Sequence, residues 1–399
     1  MNVLVINSGS SSIKFQMINM QTKKLMCKGL IERIGLEAGG FKYQKADNDK
    51  HYEELPIPDH KAGLKKMLET LTDETHGVIA GASEIDAVGH RIVHGGDKIT
   101  ESILLDDKAM AICESLIPLA PLHNPANLQG VQALKELLPQ GTPHVGVFDT
   151  AFHASMPAES YIYAIPWKFY EKHGIRRFGF HGTSHQFVAL RAAEILGKDI
   201  KDFNCITAHI GNGSSLTAIK GGVSVDTTLG FGTMCGVPMG TRAGDIDPAI
   251  VLHMIDELKL EAKEIHKILY KESGILGMSG ISSDMRDVEA AAEEGHEHAR
   301  IALDVLCHWL SKYICGLASN FERLDAIIFT AGIGECSPYV RDKVCPKLKV
   351  LGAHYNPAVN NFKAEERIIS TDDSPVKIMV VPTNEELMIA LDTKHLAGK

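Results

Sequence analysis

Two glycine-flanked basic clusters mark places where this chain could hold an anion: His90-Arg91-Ile92-Val93-His94-Gly95-Gly96 and Gly240-Thr241-Arg242-Ala243-Gly244-Asp245. A planar guanidinium on a loop whose glycines permit close approach is suited to bidentate capture of carboxylate or phosphate, although either arginine alone also reads as a surface residue. Phe148-Asp149-Thr150-Ala151-Phe152-His153 puts an acid at the end of an apolar run. That is where α/β folds place functional groups, and equally where an aspartate can cap a helix. Phe178-Gly179-Phe180-His181-Gly182-Thr183-Ser184-His185 precedes a helical segment that ends near Leu196. The spacing predicts Thr183 or Ser184 as its cap, with His181 left for an anion or kept as a structural histidine.

Small-residue turns at 7–12, 211–215 and 331–335 each close an apolar strand. Free N–H groups on residues without bulky Cβ substituents form concavities that close on phosphate oxygens. None of the turns matches GxxxxGKS/T or GxGxxG, which excludes the P-loop hydrolases and the dinucleotide fingerprint. Lys14 follows the first turn on a strand, placed either as a phosphate counter-charge or facing solvent.

Strands must end where these side chains stand. Val3 to Asn7, Ile13 to Ile18 and Leu25 to Ile34 read as an antiparallel meander, with Ile85 to Val93 and His144 to Phe148 as further strands. Helical spacing covers His60 to Leu71, Asp107 to Leu119 and Leu128 to Leu138, with Asn124 and Pro125 where the last would start. From Cys205 the pattern begins again: a strand to Ile210, a turn, then a strand from Leu216 to Lys220, so that Gly213-Ser214-Ser215 falls on Gly9-Ser10-Ser11. This repeat predicts two domains of like α/β fold, although short Gly/Ser hairpins also recur by chance. A long helix is predicted from about Arg286 to Phe321, buried or facing a second copy. The strand Asp325 to Thr330 then enters the glycine turn Ala331-Gly332-Ile333-Gly334-Glu335, before helix signals resume at Pro338. Three such turns on two repeated halves fit a cleft in which one domain holds triphosphate and the other nucleoside.

Composition narrows the class. The chain has 399 residues, 44% hydrophobic and 23% charged, and 41 Lys and Arg against 50 Asp and Glu leave a net charge of -9. A folded protein without a broad nucleic-acid-binding surface is expected. No apolar run approaches the ~18 residues of a membrane span, and MNVLVINSGSSSIK reads as a first strand rather than a secretory leader. The cysteines at 27, 113, 205, 235, 307, 315, 336 and 345 form no CxxC pair and lack zinc-site spacing, so they read as reduced thiols of a cytoplasmic protein.

Taken together, these blocks resemble the acetate and propionate kinase family, within the actin, hexokinase and sugar-kinase superfamily. The resemblance runs in order over nearly the whole chain: NSGSSSIK at 7–14, GHRIVHGG at 89–96, FDTAFH at 148–153, FGFHGTSH at 178–185, AHIGNGSS at 208–215, PMGTRAGDIDP at 238–248, SDMRD at 283–287, FTAGIGE at 329–335 and PTNEEL at 382–387. It implies reversible transfer of the ATP γ-phosphoryl group to acetate, giving ADP and acetyl phosphate, with Mg2+ as the metal or Mn2+ in its place. The implied fold is α/β, two duplicated actin-like (ribonuclease H-like) domains around a nucleotide-binding cleft. One spans 1–150 with about 384–399, and the other, 151–383, carries the nucleotide site. A homodimer through the second domain is implied, with the apolar stretch 301–315 as its candidate surface or as core.

The resemblance also implies roles. Asn7 and Glu385 lie near the metal, Lys14 near the phosphates, and Arg91, Asp149, His181 and Arg242 at the reacting centre. His209, Ile210, Gly211, Asn212 and Gly213 face the ATP phosphates. Asp284, Met285 and Arg286, with Gly332, Ile333, Gly334, Glu335 and Cys336, hold the nucleoside. Val93, Leu122 and Phe180 line the pocket for the methyl group, and Thr233 stands where many members carry a proline. Acetate is already ionised above a carboxylate pKa of about 4, so no general base is required and Asp149 reads as an orienting partner. Direct in-line transfer is the preferred course, with a phospho-enzyme through Asp149 or Glu385 left open. A propionate or butyrate kinase, or an actin-like ATPase switch, are the competing readings.

Overall fold

Strictly alternating side chains build the first sheet. In the computed structural model, which describes residues 1–46 and 50–398, β1 (Asn2–Ser8), β2 (Ser12–Asn19), β3 (Lys24–Glu32), β4 (Gly39–Lys45) and β5 (His51–Leu55) pair antiparallel in succession. Ile13, Phe15 and Met17 of β2 turn to one face, where they pack with Leu64, Met67 and Leu68 of α1 (His60–Leu71). Gly29 on β3 is required there, because a Cβ would stand 2.2 Å from the Phe15 ring. The opposite face carries Val3, Val5 and Ile18, which pack with Ile389 and Ala390 of the last helix, Glu385–Leu396.

β6 (Ala87–Ile92) joins β1 in parallel, β7 (Ile103–Leu104) forms the edge, and β8 (His144–Phe148) pairs parallel to β6, giving the order β5-β4-β3-β2-β1-β6-β8-β7. β8 is buried along its whole length, as a parallel strand covered on both faces requires. α2 (Asp107–Ser115) and α3 (Asn124–Leu137) complete this unit. The helix predicted over 107–119 stops at Ser115, and Ile117–Leu119 forms a separate 3₁₀ turn containing Pro118, whose ring cannot continue the ladder. α3 starts at Asn124, where Asn124 and Pro125 placed its start, with Pro125 in its first turn.

The second unit repeats the path. α4 (Ala158–Tyr161), α5 (Lys168–His173) and α6 (Gly182–Ile195) precede β9 (Asn204–Ile210), β10 (Ser214–Lys220) and β11 (Val223–Thr227), again antiparallel. β12 (Ala326–Thr330) and β14 (Lys377–Val380) then add in parallel beyond β9, with β13 (Arg367–Ile368) at the edge. Between them lie α7 (Pro248–Asp256), α8 (Ala262–Lys271), α9 (Gly274–Ser279), α10 (Met285–Glu293) and α11 (Glu297–Leu317), followed by α12 (Ala331–Cys336) and α13 (Pro338–Val344). The last helix of the chain is α14 (Glu385–Leu396). The order β11-β10-β9-β12-β14 matches β3-β2-β1-β6-β8, so the fold is a duplicated actin-like α/β domain. The chain divides into Met1–Ala154 with Asn384–Lys399, and Ser155–Thr383.

Two expectations change here. The single helix predicted from Arg286 to Phe321 is broken between α10 and α11, where Gly295 takes φ +95 and His296 caps α11 through a bond from the Ala299 N–H at 3.3 Å. Glu297–Asn320 is also long and apolar enough, by composition, to cross a membrane, which the reading of apolar runs did not anticipate. Its Leu303, Leu306, Leu310 and Ile314 pack in the core with Ile206, Leu216 and Ile327. The stretch 301–315 is therefore mostly core rather than a free apolar surface.

Candidate active site

In the first unit the parallel strands β1, β6 and β8 end at one edge, and the polar residues stand just past those ends. Arg91 donates from Nε to Asp149 Oδ1 at 2.8 Å and from Nη2 to Oδ2 at 2.7 Å. The Asp149 side chain is 4% exposed and that of Arg91 22%. Burial opposes the Arg91 charge, but the Asp149 carboxylate more than reverses this, so the guanidinium pKa lies above its ordinary value. The Asp149 N–H donates to the Ile92 carbonyl at 3.0 Å and both carboxylate oxygens serve Arg91, so this acid is not a helix cap.

The turn after Arg91 is pinned from α3 by residues to which the sequence reading gave no part in the site. Asn127 Oδ1 accepts from the Val93 N–H at 3.1 Å and its Nδ2 donates to the Ser8 carbonyl at 2.6 Å, while Asn124 Oδ1 accepts from the His94 N–H at 3.2 Å. Asn-Pro-Ala-Asn at the start of a helix, with both amides on one face, was the only available signal. Asn7 and Lys14 are opposite one another across β1 and β2. Glu385 opens α14, half-buried, and its pKa is raised by burial, with Asp149 adding to the rise and Arg91 and Lys14 opposing it. Glu386 is raised for the same first reason. Lys14 points to the open face of β2, where it borders a cavity of about 370 Å³ with Lys28, Lys42 and Glu386. Val93 is half-buried, and Leu122 lies 62% exposed on the turn before α3.

In the second unit the phosphate-type turn and the basic side chains lie together. The Gly211 N–H donates to the Gly213 carbonyl at 3.2 Å, which closes the β9–β10 turn. A Cβ on Gly213 would stand 3.4 Å from His181 Nε2 and 3.6 Å from Arg242 Nη1, so both side chains point at this glycine. Arg242 Nη1 donates to the Thr233 carbonyl at 3.0 Å, and burial lowers the guanidinium pKa from its high ordinary value. His181 occupies the N-cap of α6 in left-handed geometry, φ 58, without a side-chain cap bond. The predicted caps are displaced: Thr183 and Ser184 lie inside the first turn, buried, and the Ser184 hydroxyl meets His209 Nδ1 at 2.8 Å instead. His181 stacks on His209 with centroids 4.2 Å apart. Ile210 is fully buried, so only its backbone is available to a ligand, and Phe180 is 2% exposed.

A cavity of about 650 Å³ in the same unit is lined by Gly211, Asn212, Asp284, Met285, Arg286, Gly332, Ile333 and Cys336. That volume suits a nucleoside-sized ligand. Asp284 caps α10, accepting from the Arg286 N–H at 2.9 Å. Gly334 and Glu335 are turned into the fold: Glu335 Oε1 accepts from the Thr383 N–H at 3.0 Å, and Gly334 is buried. The predicted turn at 331–335 is the short helix α12, entered through Ala331 at φ 62. Sequence reading missed Lys363 and Glu289 on the cavity wall, and Arg341 beneath it. Fully buried, Arg341 donates to the Gly334 and Glu335 carbonyls at 3.0 Å and to Asn360 Oδ1 at 2.6 Å.

Residues 2–391 match the model of the Acetokinase family. Acetate kinases of Pseudothermotoga lettingae and Thermotoga maritima are 54% and 52% identical to the chain, over 99% and 100% of it and 97% and 99% of themselves. Among solved structures, an acetate kinase of Porphyromonas gingivalis superposes with a TM-score of 0.96 at 43% identity, and a propionate kinase of Francisella tularensis with 0.92 at 38%, each over 99% of both chains.

Proposed function

The chain belongs to the acetokinase family, and from that premise we infer that it is an acetate kinase, a phosphotransferase with a carboxylate acceptor that interconverts ATP and acetate with ADP and acetyl phosphate. The observation that carries the reading at the level of chemistry is the Arg91–Asp149 pair. Its two bonds use Nε and Nη2, which leaves Nη1 as the arm offered to the acetate carboxylate.

A carboxylate attacking a γ-phosphoryl group brings two anions together, so catalysis depends on positive charge that does not reorganise. In this reading Arg91 fixes acetate, while Arg242 and the Nε2 of His181 receive the equatorial oxygens as the phosphoryl group passes in line between donor and acceptor. The Gly211–Gly213 turn supplies N–H groups to the phosphates, with Lys14 as a further counter-charge, and the cavity beside Asp284 and Ile333 takes the nucleoside. Asp149 holds Arg91 in place and takes no proton.

Magnesium is proposed to bind in the first unit. Among the described residues no cluster of three or more His, Cys, Asp and Glu could hold a metal alone. Mg2+ characteristically takes one or two protein oxygens and completes its shell with phosphates and water. Glu385, a carboxylate whose burial disfavours its charge, and the Asn7 amide are the oxygens proposed to hold it. A bound divalent ion supplies charge neutralisation at the transferring phosphate.

The two domains are proposed to follow the division at Ala154/Ser155 and Thr383/Asn384. A homodimer is proposed through α7, none of whose residues is buried and whose Ile250, Leu252 and Ile255 are 44%, 60% and 43% exposed. A reducing, cytoplasmic setting is proposed, in keeping with cysteines that form no disulfide among the described residues.

The test is hydroxamate trapping of acyl phosphate with ATP and Mg2+, offering acetate, propionate and butyrate in parallel, with Arg91→Ala and Arg242→Ala as controls. Activity led by acetate and lost in both variants is expected. Activity led by propionate or butyrate would move the assignment within the family, and no acyl phosphate with any acid would overturn it.

A further inference from the structure

His181 is held from behind by a line of hydrogen bonds that no substrate-facing role uses. Its Nδ1 lies 2.8 Å from the Ser215 hydroxyl, and the same hydroxyl lies 2.7 Å from His185 Nε2. His185 Nδ1 in turn lies 2.6 Å from the Thr207 hydroxyl. Ser215, His185 and Thr207 are each 0% exposed, so water does not compete for these bonds. They come from β10, α6 and β9, elements that meet only in the folded unit.

Counting protons leaves two directions for the line, and the front of His181 chooses between them. A serine hydroxyl has a single proton, and here it faces two ring nitrogens, so one imidazole donates to it and it donates to the other. At the front, His181 Nε2 and Arg242 Nη1 both point at Gly213 in the phosphate-type turn. Arg242 already brings a full charge, and what an anion there needs from His181 is a donor at Nε2. A neutral ring protonated at Nε2 accepts at Nδ1. Ser215 therefore donates to His181, His185 Nε2 donates to Ser215, and Thr207 donates to His185 Nδ1. Along these three bonds each proton is used once and no two lone pairs face each other.

We propose that Thr207, His185 and Ser215 form a buried relay that locks His181 in its Nε2-protonated tautomer and in the ring orientation that presents that proton to the transferring phosphoryl group. They are positioning residues for the reaction, and this rests on the role given to His181 above. The stack on His209, whose Nδ1 meets Ser184 at 2.8 Å, holds the other degree of freedom, the tilt of the ring plane.

Thr207→Val removes one hydroxyl at nearly constant shape, Ser215→Ala removes the centre of the relay, and Thr207→Ser restores its end. In the first two variants kcat is expected to fall on the order of 10- to 100-fold, the range that removing the orienting partner of a metal-bound histidine commands. KM for ATP and acetate should stay within about threefold, because the lost interaction acts in the transition state. Thr207→Ser should recover most of the rate. Nitrogen-15 spectra of the histidine rings in the wild-type protein are expected to show His181 with Nε2 protonated and Nδ1 bare, and a mixture of tautomers in Ser215→Ala. Wild-type kcat in both Ser215→Ala and Thr207→Val, or Nδ1 as the protonated nitrogen, would overturn the relay. Full activity in His181→Ala would instead remove the reading of His181, and the wild-type spectra would still decide the relay. Should Ser215→Ala not fold, Thr207→Val and those spectra suffice.

Discussion

Arg91 and Asp149 meet through two parallel hydrogen bonds of 2.8 and 2.7 Å at the ends of adjacent parallel strands. Removing one member of such a buried pair leaves the other charged and unpartnered, which is worse than losing both. Asp149→Asn keeps the shape and one acceptor but loses the charge that keeps Arg91 in place. A drop in kcat/KM for acetate of about 10²- to 10³-fold is expected from steady-state kinetics, with the ATP KM little changed. A variant with normal acetate kinetics would remove the orienting role.

Arg242 reaches Gly213 while tethered to a backbone oxygen, that of Thr233. Lysine has a point charge without the planar fork, so Arg242→Lys cannot hold that carbonyl and face the phosphate turn together. A loss in kcat on the order of 10²-fold is expected. Thr233→Pro retains the carbonyl that Arg242 uses. It should shift the ratio of acetate to propionate turnover by no more than about 200-fold, the range that a methylene-sized change in an apolar pocket commands, and leave the kcat for the preferred acid near wild type.

Acid should destabilise the first unit through its histidines. His90 Nε2 and His144 Nδ1 are 2.9 Å apart and buried, and burial lowers both pKa values, that of His144 to about 4. His94 is likewise lowered to about 4 by burial. The neutral rings are favoured by folding, so their contribution is fully present above the unfolded value near 6.5 and is lost as pH falls from there towards 4. For His144 alone the loss approaches about 3 kcal/mol, at ~1.4 kcal/mol per unit. Urea midpoints at several pH values should show this fall, and His144→Gln should flatten it. An unchanged slope in that variant would place the acid sensitivity elsewhere.

Arg341 is the largest fully buried side chain among the described residues, and its donors hold the carbonyls of Gly334 and Glu335 in α12. Arg341→Met fills the space but removes the guanidinium donors from both carbonyls, that of Glu335 keeping the Ala364 N–H at 3.1 Å. A destabilisation of about 3–5 kcal/mol is expected by denaturant unfolding, together with a raised KM for ATP, since Gly332 and Ile333 of α12 line the nucleoside-sized cavity. Normal ATP affinity in the folded variant would separate α12 from nucleotide binding.

On α7, Leu252→Glu adds charge to an apolar face that covers no core. Light scattering should show the wild-type protein as a dimer and this variant as a monomer with unchanged thermal stability of the protomer. A dimeric variant would move the contact to another surface.

The central strands β1 to β3, β6, β8 to β10 and β12, with helices such as α1, α3 and α6, were readable from the chain because burial imposes its own period on the residues: Ile13, Phe15 and Met17 face one core, and β8 is apolar throughout. The outer strands β4, β5, β7, β11, β13 and β14 and the helices α7 to α9 went unread, being short or exposed on one side. The duplication was readable for the same reason, since two copies of one path need two copies of one pattern of strands and small-residue turns. Local chemistry misled where a longer-range partner won. Ser184 carries the residue type of a helix cap yet bonds to His209, and apolar spacing ran on through Gly295, whose backbone ends the helix. Arg91 and Asp149 each stood out as polar residues at the ends of apolar runs, but 58 residues separate them, and nothing in their spacing pairs them. The same holds for Asn124 and Asn127 behind Arg91, for Arg341 beneath α12, and for Ser215, His185 and Thr207 behind His181. Sequence by itself determined the central strands, the duplicated path and which residue types reach the strand ends, because those follow from side-chain burial and backbone preference along one element. Only the tertiary structure decided which polar atoms meet, because a hydrogen bond acts over about 3 Å in space and is blind to distance along the chain.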